Sequence, residues 1–243
     1  MTRLTTCPDA EAVAARAAVL VARQLDHARD QRGCAHLALS GGSTPERTYE
    51  LLAAAEADWT AVEVWFADER CVGPEDPDSN YRMAADALLE RTAIPAARVH
   101  RMEGELGPGE GASRYGRALL EAVPPAAEDP RGPPALDVVV LGIGPDGHIA
   151  SLFPGSATLD APQDATCLGV WDSPKPPPER ITLTLPVLHA ARSCLLIATG
   201  AGKADAVSAM LGEPTRHVPA SLLRRGRLTA IVDDAAAPPG PRL

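Results

Sequence analysis

LDVVVLGIG at residues 136–144, running directly into PDGHIASLFPG at 145–155, is the stretch whose reading decides the fold. Four apolar side chains in succession leave no polar face, so this strand is covered on both sides, as strands at the centre of parallel sheets are. Other short apolar runs fit strands beside it: HLALS at 36–40, AVEVWF at 61–66, RITLTL at 180–185, SCLLIA at 193–198 and LTAIVD at 228–233. Helical patterns lie between them, at 9–31 with a stop at Gly33, after SGGSTP, from Ser79 onward, near 111–123, and at about 202–211. Pro45 in the first turn, with Ser43 and Thr44 before it, signals a helix start. Strands alternating with helices predict an α/β fold with a doubly wound, mainly parallel sheet and helices on both faces. The Pro/Gly-rich segments EGELGPGEG, PPAAEDPRGPP and DSPKPPPE flank elements too small to fold alone. They are read as surface loops of one domain spanning 1–243, with a frayed tail from about 235.

Composition narrows the function. Net charge is −9 and no basic run occurs, which argues against nucleic acid or an anionic membrane as partner. Five scattered cysteines without a CxxC pair fit free thiols in a reducing compartment, and the N-terminal stretch lacks the layout of a signal peptide. The expected location is the cytoplasm. No HxxxH, HExxH or Cys/His cluster suggests a metal site, and no GxSxG elbow suggests a serine nucleophile.

In open α/β sheets, ligands gather beyond the carboxyl ends of the strands. Four sequences stand there: SGGSTP, ADER, GIGPDGHIASLFPG and TGAGK. In the first, Gly41 and Gly42 let the backbone approach an anion, and Ser43 and Thr44 can donate to it; alone, the sequence is equally a tight turn. GIGPDG matches the dinucleotide pattern GxGxxG, but Pro154 interrupts the helix that pattern needs, and no acid-ended strand follows at the required distance. No cofactor is expected. What stands out instead is His148 two residues after Asp146, a proton carrier at a glycine-rich loop. His27, His36, His100, His189 and His217 have no such setting and are read as structural or surface residues. Asp68, Glu69 and Arg70 close a strand and become candidates for proton transfer or oxyanion stabilisation. TGAGK lacks the full nucleotide-triphosphate loop, yet Lys203 at a helix start suits one phosphate.

Taken in order, SGGSTP, WFADERCVGPEDPDSNYRMA, LDVVVLGIGPDGHIASLFPG and RITLTLPVLHAARSCLLIATGAGKADAV resemble the 6-phosphogluconolactonase family, from about residue 36 to 232. The resemblance implies a Rossmann-like fold and hydrolysis of 6-phosphoglucono-1,5-lactone without a cofactor; a monomer is the expected state. It places catalysis on His148, Asp146, Arg70 and Asp68. Contacts to the phosphorylated lactone fall on Gly41, Gly42, Ser43, Thr44 and Lys203, with Arg180 read as a further anion contact. The related glucosamine-6-phosphate deaminases carry a glutamate five residues after the DGH histidine, where this chain has Phe153. A deaminase and a non-catalytic sugar-phosphate sensor are the rival readings.

Overall fold

β1 (Arg3–Cys7) leads into α1 (Ala10–Arg32), the longest helix of the chain. In this computed structural model, which describes residues 2–238 apart from 56, 224 and 225, both ends of α1 are set by local chemistry. Asp9 caps its start by accepting from the Ala12 amide at 2.8 Å, and Gly33 stops it in a left-handed conformation at φ 76°. Its apolar stripe, including Val13, Ala17, Val21, Leu25 and Ala28, is buried.

The chain continues through β2 (Ala35–Leu39), α2 (Ser43–Ala53), β3 (Val62–Phe66), β4 (Asp68–Arg70), α3 (Asn80–Ala87) and α4 (Gly107–Ala122). It then forms β5 (Val138–Leu141), β6 (Cys167–Val170), β7 (Arg180–Leu183), α5 (Leu185–Ala190), β8 (Cys194–Ala198), α6 (Ala204–Leu211) and β9 (Leu228–Asp233). Six strands make one parallel sheet in the order β1-β9-β8-β5-β2-β3. All four residues of β5 are fully buried, so both faces of the sheet are covered at its centre. From β2 the chain first pairs β3 on one side and later β5 on the other. That reversal opens a crevice at the carboxyl ends of β2 and β5.

Several expectations change. RITLTL does not enter the main sheet: β7 is the middle strand of a three-stranded antiparallel sheet, β4-β7-β6, and its last residues turn into α5. Asp68–Arg70 is the edge strand β4 of that small sheet, so ADER is less a loop than a bridge between sheets. α4 starts a turn earlier than its apolar pattern, with Pro108 in its first turn, and takes up part of the segment read as a loop. β1 and β6 carry no clear sequence signal, being short and half-exposed. The tail is seated farther than expected, since Ala236 is buried and its amide donates to the Asp233 carboxylate at 2.8 Å. Residues 239–243 of the expected frayed segment lie outside the described residues.

Candidate active site

Three loops at the carboxyl ends of β2, β5 and β8, together with β4 and β7, surround a cleft of roughly 330 Å³. Gly41, Gly42, Ser43, Thr44, Asp68, Arg70, His148, Arg180 and Lys203 all line it, so nine of the ten expected site residues converge. Asp146 stands behind His148 rather than on the wall.

The β2 loop works through backbone. Gly42, at φ 112°, precedes α2 as its capping residue, and no side chain caps the helix; this corrects the expectation for Ser43 and Thr44, which lie in the first turn instead. The amides of Ser43 and Thr44 have no intrahelical acceptor by position, and they point the positive end of α2 toward the cleft. Thr44 Oγ1 is tied to Thr199 Oγ1 at 2.7 Å, which joins this loop to the end of β8. A Cβ on Gly41 would lie 1.9 Å from Asn80 Oδ1, so only glycine lets the two approach.

The β5 loop carries the acid–base pair. His148 Nδ1 and Asp146 Oδ1 are 2.5 Å apart, and the pair folds over Gly144, where an added Cβ would sit 1.9 Å from that nitrogen. Gly144 also donates to the His148 carbonyl at 2.9 Å, which closes the turn. With Nδ1–H given to the carboxylate, Nε2 is the ring atom able to take a proton. Burial lowers the proton affinity of His148, and the Asp146 hydrogen bond only partly offsets this. Asp146 itself is raised by burial, but the bond from His148 and the charges of His148 and Lys175 outweigh that and bring it below its ordinary value. The Phe153 ring lies 4.7 Å from the imidazole.

On β4, Asp68 is buried and held at both oxygens: Ser151 Oγ donates to Oδ2 at 2.7 Å, and Asn80 Nδ2 donates to Oδ1 at 3.2 Å. Glu69 faces away from the cleft. It accepts from the amides of Arg70, Asn80 and Tyr81 and from Ser79 Oγ, organising the start of α3, while burial pushes its carboxyl upward against those four donors. Arg70 Nη1 donates to the Asp78 carbonyl at 2.5 Å, and its buried Nε has no protein partner among the described residues. Lys203 lies in a 3-10 turn just before α6, and its Nζ donates to the Ile143 carbonyl at 2.7 Å, leaving two N–H groups for a ligand. Burial, then the Lys175 charge, lowers its proton affinity.

Arg180 differs from its expected role. Its Nε donates to Pro177 O, and its Nη2 donates to Lys175 O and Pro176 O, all within 3.2 Å. Most of this buried guanidinium holds a loop, although its edge still lines the cleft.

With the geometry in place, the chain can be compared with known proteins. Residues 8–232 match the family described as glucosamine-6-phosphate isomerases/6-phosphogluconolactonase. The chain belongs to this family. Relatives named 6-phosphogluconolactonase from Streptomyces coelicolor and a Nostoc species are 38% and 37% identical to it. The first alignment covers 96% of this chain and 93% of the relative, the second 94% of each. The solved 6-phosphogluconolactonase from Trypanosoma brucei superposes with a TM-score of 0.85 at 27% identity, covering 97% of both chains. A monomeric glucosamine-6-phosphate deaminase shares the fold, with a TM-score of 0.78 at 21% identity over 97% of this chain and 98% of that one. Among the described residues, no helix is long and apolar enough to cross a membrane, and no group of three His, Cys, Asp or Glu could hold a metal ion.

Sequence reasoning missed Ser40, Asn80 and Lys175 on the cleft wall and Ser151, which holds Asp68 from behind. Asn80 had a signal in its position next to the Ser79 cap, and Ser151 in its place three residues after His148. Ser40 Oγ is buried on the cleft wall, without a partner among the described residues. Lys175 sat in a proline-rich segment read as plain surface loop, yet its Nζ lies 3.6 Å from Asp146 Oδ1 and 3.3 Å from His148 Nδ1.

Proposed function

We propose that this chain hydrolyses 6-phospho-D-glucono-1,5-lactone to 6-phospho-D-gluconate, the lactone-opening step of the oxidative pentose phosphate pathway. The observation that carries the reading is the setting of His148, paired with Asp146 on one side and packed against the Phe153 ring on another. An apolar ring at position 153 suits a site that needs one base and no second titrating carboxylate. The names of the relatives at 37–38% identity support the same reaction.

The reaction follows from the groups present. His148 Nε2 takes a proton from water as its oxygen bonds to the lactone carbonyl carbon, and Asp146 holds the imidazolium that forms. Arg70, which lines the cleft, supplies the cation for the oxyanion of the tetrahedral intermediate. As the carbon–ring-oxygen bond breaks, the imidazolium returns the proton to the ring oxygen. Asp68, fixed by Ser151 and Asn80, acts as a positioning and hydroxyl-accepting group. The amides of Ser43 and Thr44, the glycine backbone of 41–42 and Lys203 grip the phosphate. Four cations and one carboxylate line the cleft of a chain with net charge −9, so attraction for a phosphate dianion is local to this site. The working unit is read as a monomer, and five cysteines without a CxxC pair fit a cytoplasmic setting.

The deciding experiment supplies freshly made 6-phosphogluconolactone to purified protein and follows 6-phosphogluconate with a coupled dehydrogenase. Glucosamine 6-phosphate is tested in parallel for ammonia. Fast lactone hydrolysis without ammonia is expected; ammonia release at a comparable rate would overturn the reading.

A further inference from the structure

The loop at residues 173–178 is short, proline-rich and unusually well held. The Ser173 amide donates to Pro178 O at 3.0 Å, closing the loop at its base. Ser173 Oγ donates to Lys175 O at 2.9 Å and accepts from the Lys175 amide at 3.2 Å. From below, Arg180 donates to the carbonyls of Lys175, Pro176 and Pro177. Three successive carbonyls point at one buried guanidinium, so the backbone at Lys175 has a fixed position and the side chain leaves from it toward the β5 loop.

At its end the ammonium meets the acid–base pair. Its 3.3 Å approach to His148 Nδ1 is not a hydrogen bond to a lone pair, because that nitrogen already gives its hydrogen to Asp146. The favourable partner is the carboxylate, at 3.6 Å. The charged groups that act most strongly on His148 come from three elements. Asp146 comes from its own loop, Asp68 from β4 and Lys175 from the 173–178 loop, while Phe153 contributes an uncharged ring. Arg70, Arg180 and Lys203 line the same cleft, but among the described residues Lys175 is the cation in contact with the pair, so its removal leaves an imidazole that Asp146 and Asp68 face with less opposition. Such an imidazole binds its second proton more tightly, and a protonated imidazole is not a base.

We propose that Lys175 is a positioning residue for the acid–base pair: its ammonium, presented by the clamped 173–178 loop, keeps Asp146 a carboxylate and His148 a neutral base before each turnover. The catalytic consequence rests on the lactonase reading; the electrostatic arrangement does not. Burial already disfavours the imidazolium, and Lys175 adds to it in the same direction, at a side chain still 41% exposed and therefore partly screened.

The sign of the effect is definite. A neutral His148 is needed to accept the proton of water, so kcat/KM rises with pH as the imidazolium is lost. Removing Lys175 moves that rise to higher pH. The experiment compares Lys175→Met, Lys175→Gln and Lys175→Arg with the unaltered protein, each first checked by thermal melt. The His148 ring is titrated by NMR without substrate, and kcat/KM is measured across pH for the phosphorylated and unphosphorylated lactones. In the Met and Gln variants the ring should titrate at higher pH. Their kcat/KM should fall by about tenfold at the acid end but only about twofold on the alkaline plateau, for both lactones. Lys175→Arg should restore both profiles. An unmoved ring titration in folded Met and Gln variants overturns the proposal. A loss confined to KM for the phosphorylated lactone also overturns it, because Lys175 would then be a phosphate ligand. Failure of the lactonase reading shows itself separately, as an inactive unaltered protein, and leaves the ring titration to decide the electrostatic claim.

Discussion

Two loops meet at His148, the one that carries it and the one that brings Lys175 to it, and they are built in different ways. The β5 loop is made by its own backbone. Gly144 donates to His148 O, Gly147 donates to Gly144 O, and the missing side chain of Gly144 is the space in which Asp146 and His148 meet. The 173–178 loop is held by side chains, Ser173 within it and Arg180 just beyond it at the start of β7, which gather its carbonyls. The first loop places its charge by backbone turns, the second by a side-chain clamp. The consequence is a difference in fragility: the first fails through chemistry, the second through order.

Substitutions can test that contrast. The largest effect is expected for Gly144→Ala, whose Cβ would overlap His148 Nδ1 and Asp146 Oδ1. Both are ends of movable side chains, so the fold accommodates them while the pair is pushed apart. Turnover should fall on the order of a hundredfold, as for loss of a general base, with the melting temperature nearly unchanged. A melt lowered as much as turnover would show that the loop is not locally determined. Arg180→Met is the counterpart. It removes a buried cation from three carbonyls and should destabilise by about 3 kcal/mol, lowering Tm by several degrees. KM should rise about tenfold, and limited proteolysis should find a new cut within 173–178. Unchanged protection of that segment would mean that the prolines hold the loop by themselves. Ser173→Ala removes two weaker bonds inside the loop and should cost about 1 kcal/mol, with a change of only a few-fold in kcat/KM. An effect as large as that of Arg180→Met would make the Ser173 hydroxyl, not the guanidinium, the principal restraint.

The same contrast explains what was legible in the sequence. The apolar run at 138–141, the glycines at 41, 42 and 144 and the DGH triplet act within a few residues of themselves, so pattern and spacing expose them. The order of elements, the parallel sheet and the convergence of its carboxyl-end loops follow from that kind of signal. Arg180 reads as an anion contact, and its turn back to the carbonyls of 175–177 is not legible because backbone acceptors carry no residue-type signal. Lys175 is hidden for another reason: its partners Asp146 and His148 lie far from it in sequence. β7 read as another sheet strand because RITLTL has strand composition, whereas its assignment to the small antiparallel sheet depends on Asp68–Arg70, more than a hundred residues earlier. Ser151 and Asn80 became visible only once β4 brought Asp68 between them.

The pairing of β1 with β9 sets an order of assembly. Arg3 aligns with Thr229 and Cys7 with Asp233, so β1 has its hydrogen-bonding edge supplied by a strand more than two hundred residues later. Until β9 is in place β1 is an unpaired edge, short and mostly exposed, which limits what it can offer to stray strands. The pairing is a contact between segments far apart in sequence, with the long loop-closure cost that such contacts carry. Pulse-labelled hydrogen exchange during refolding should therefore protect the amides of β5 and β8 before those of β1; early protection at residues 3–7 would contradict that order.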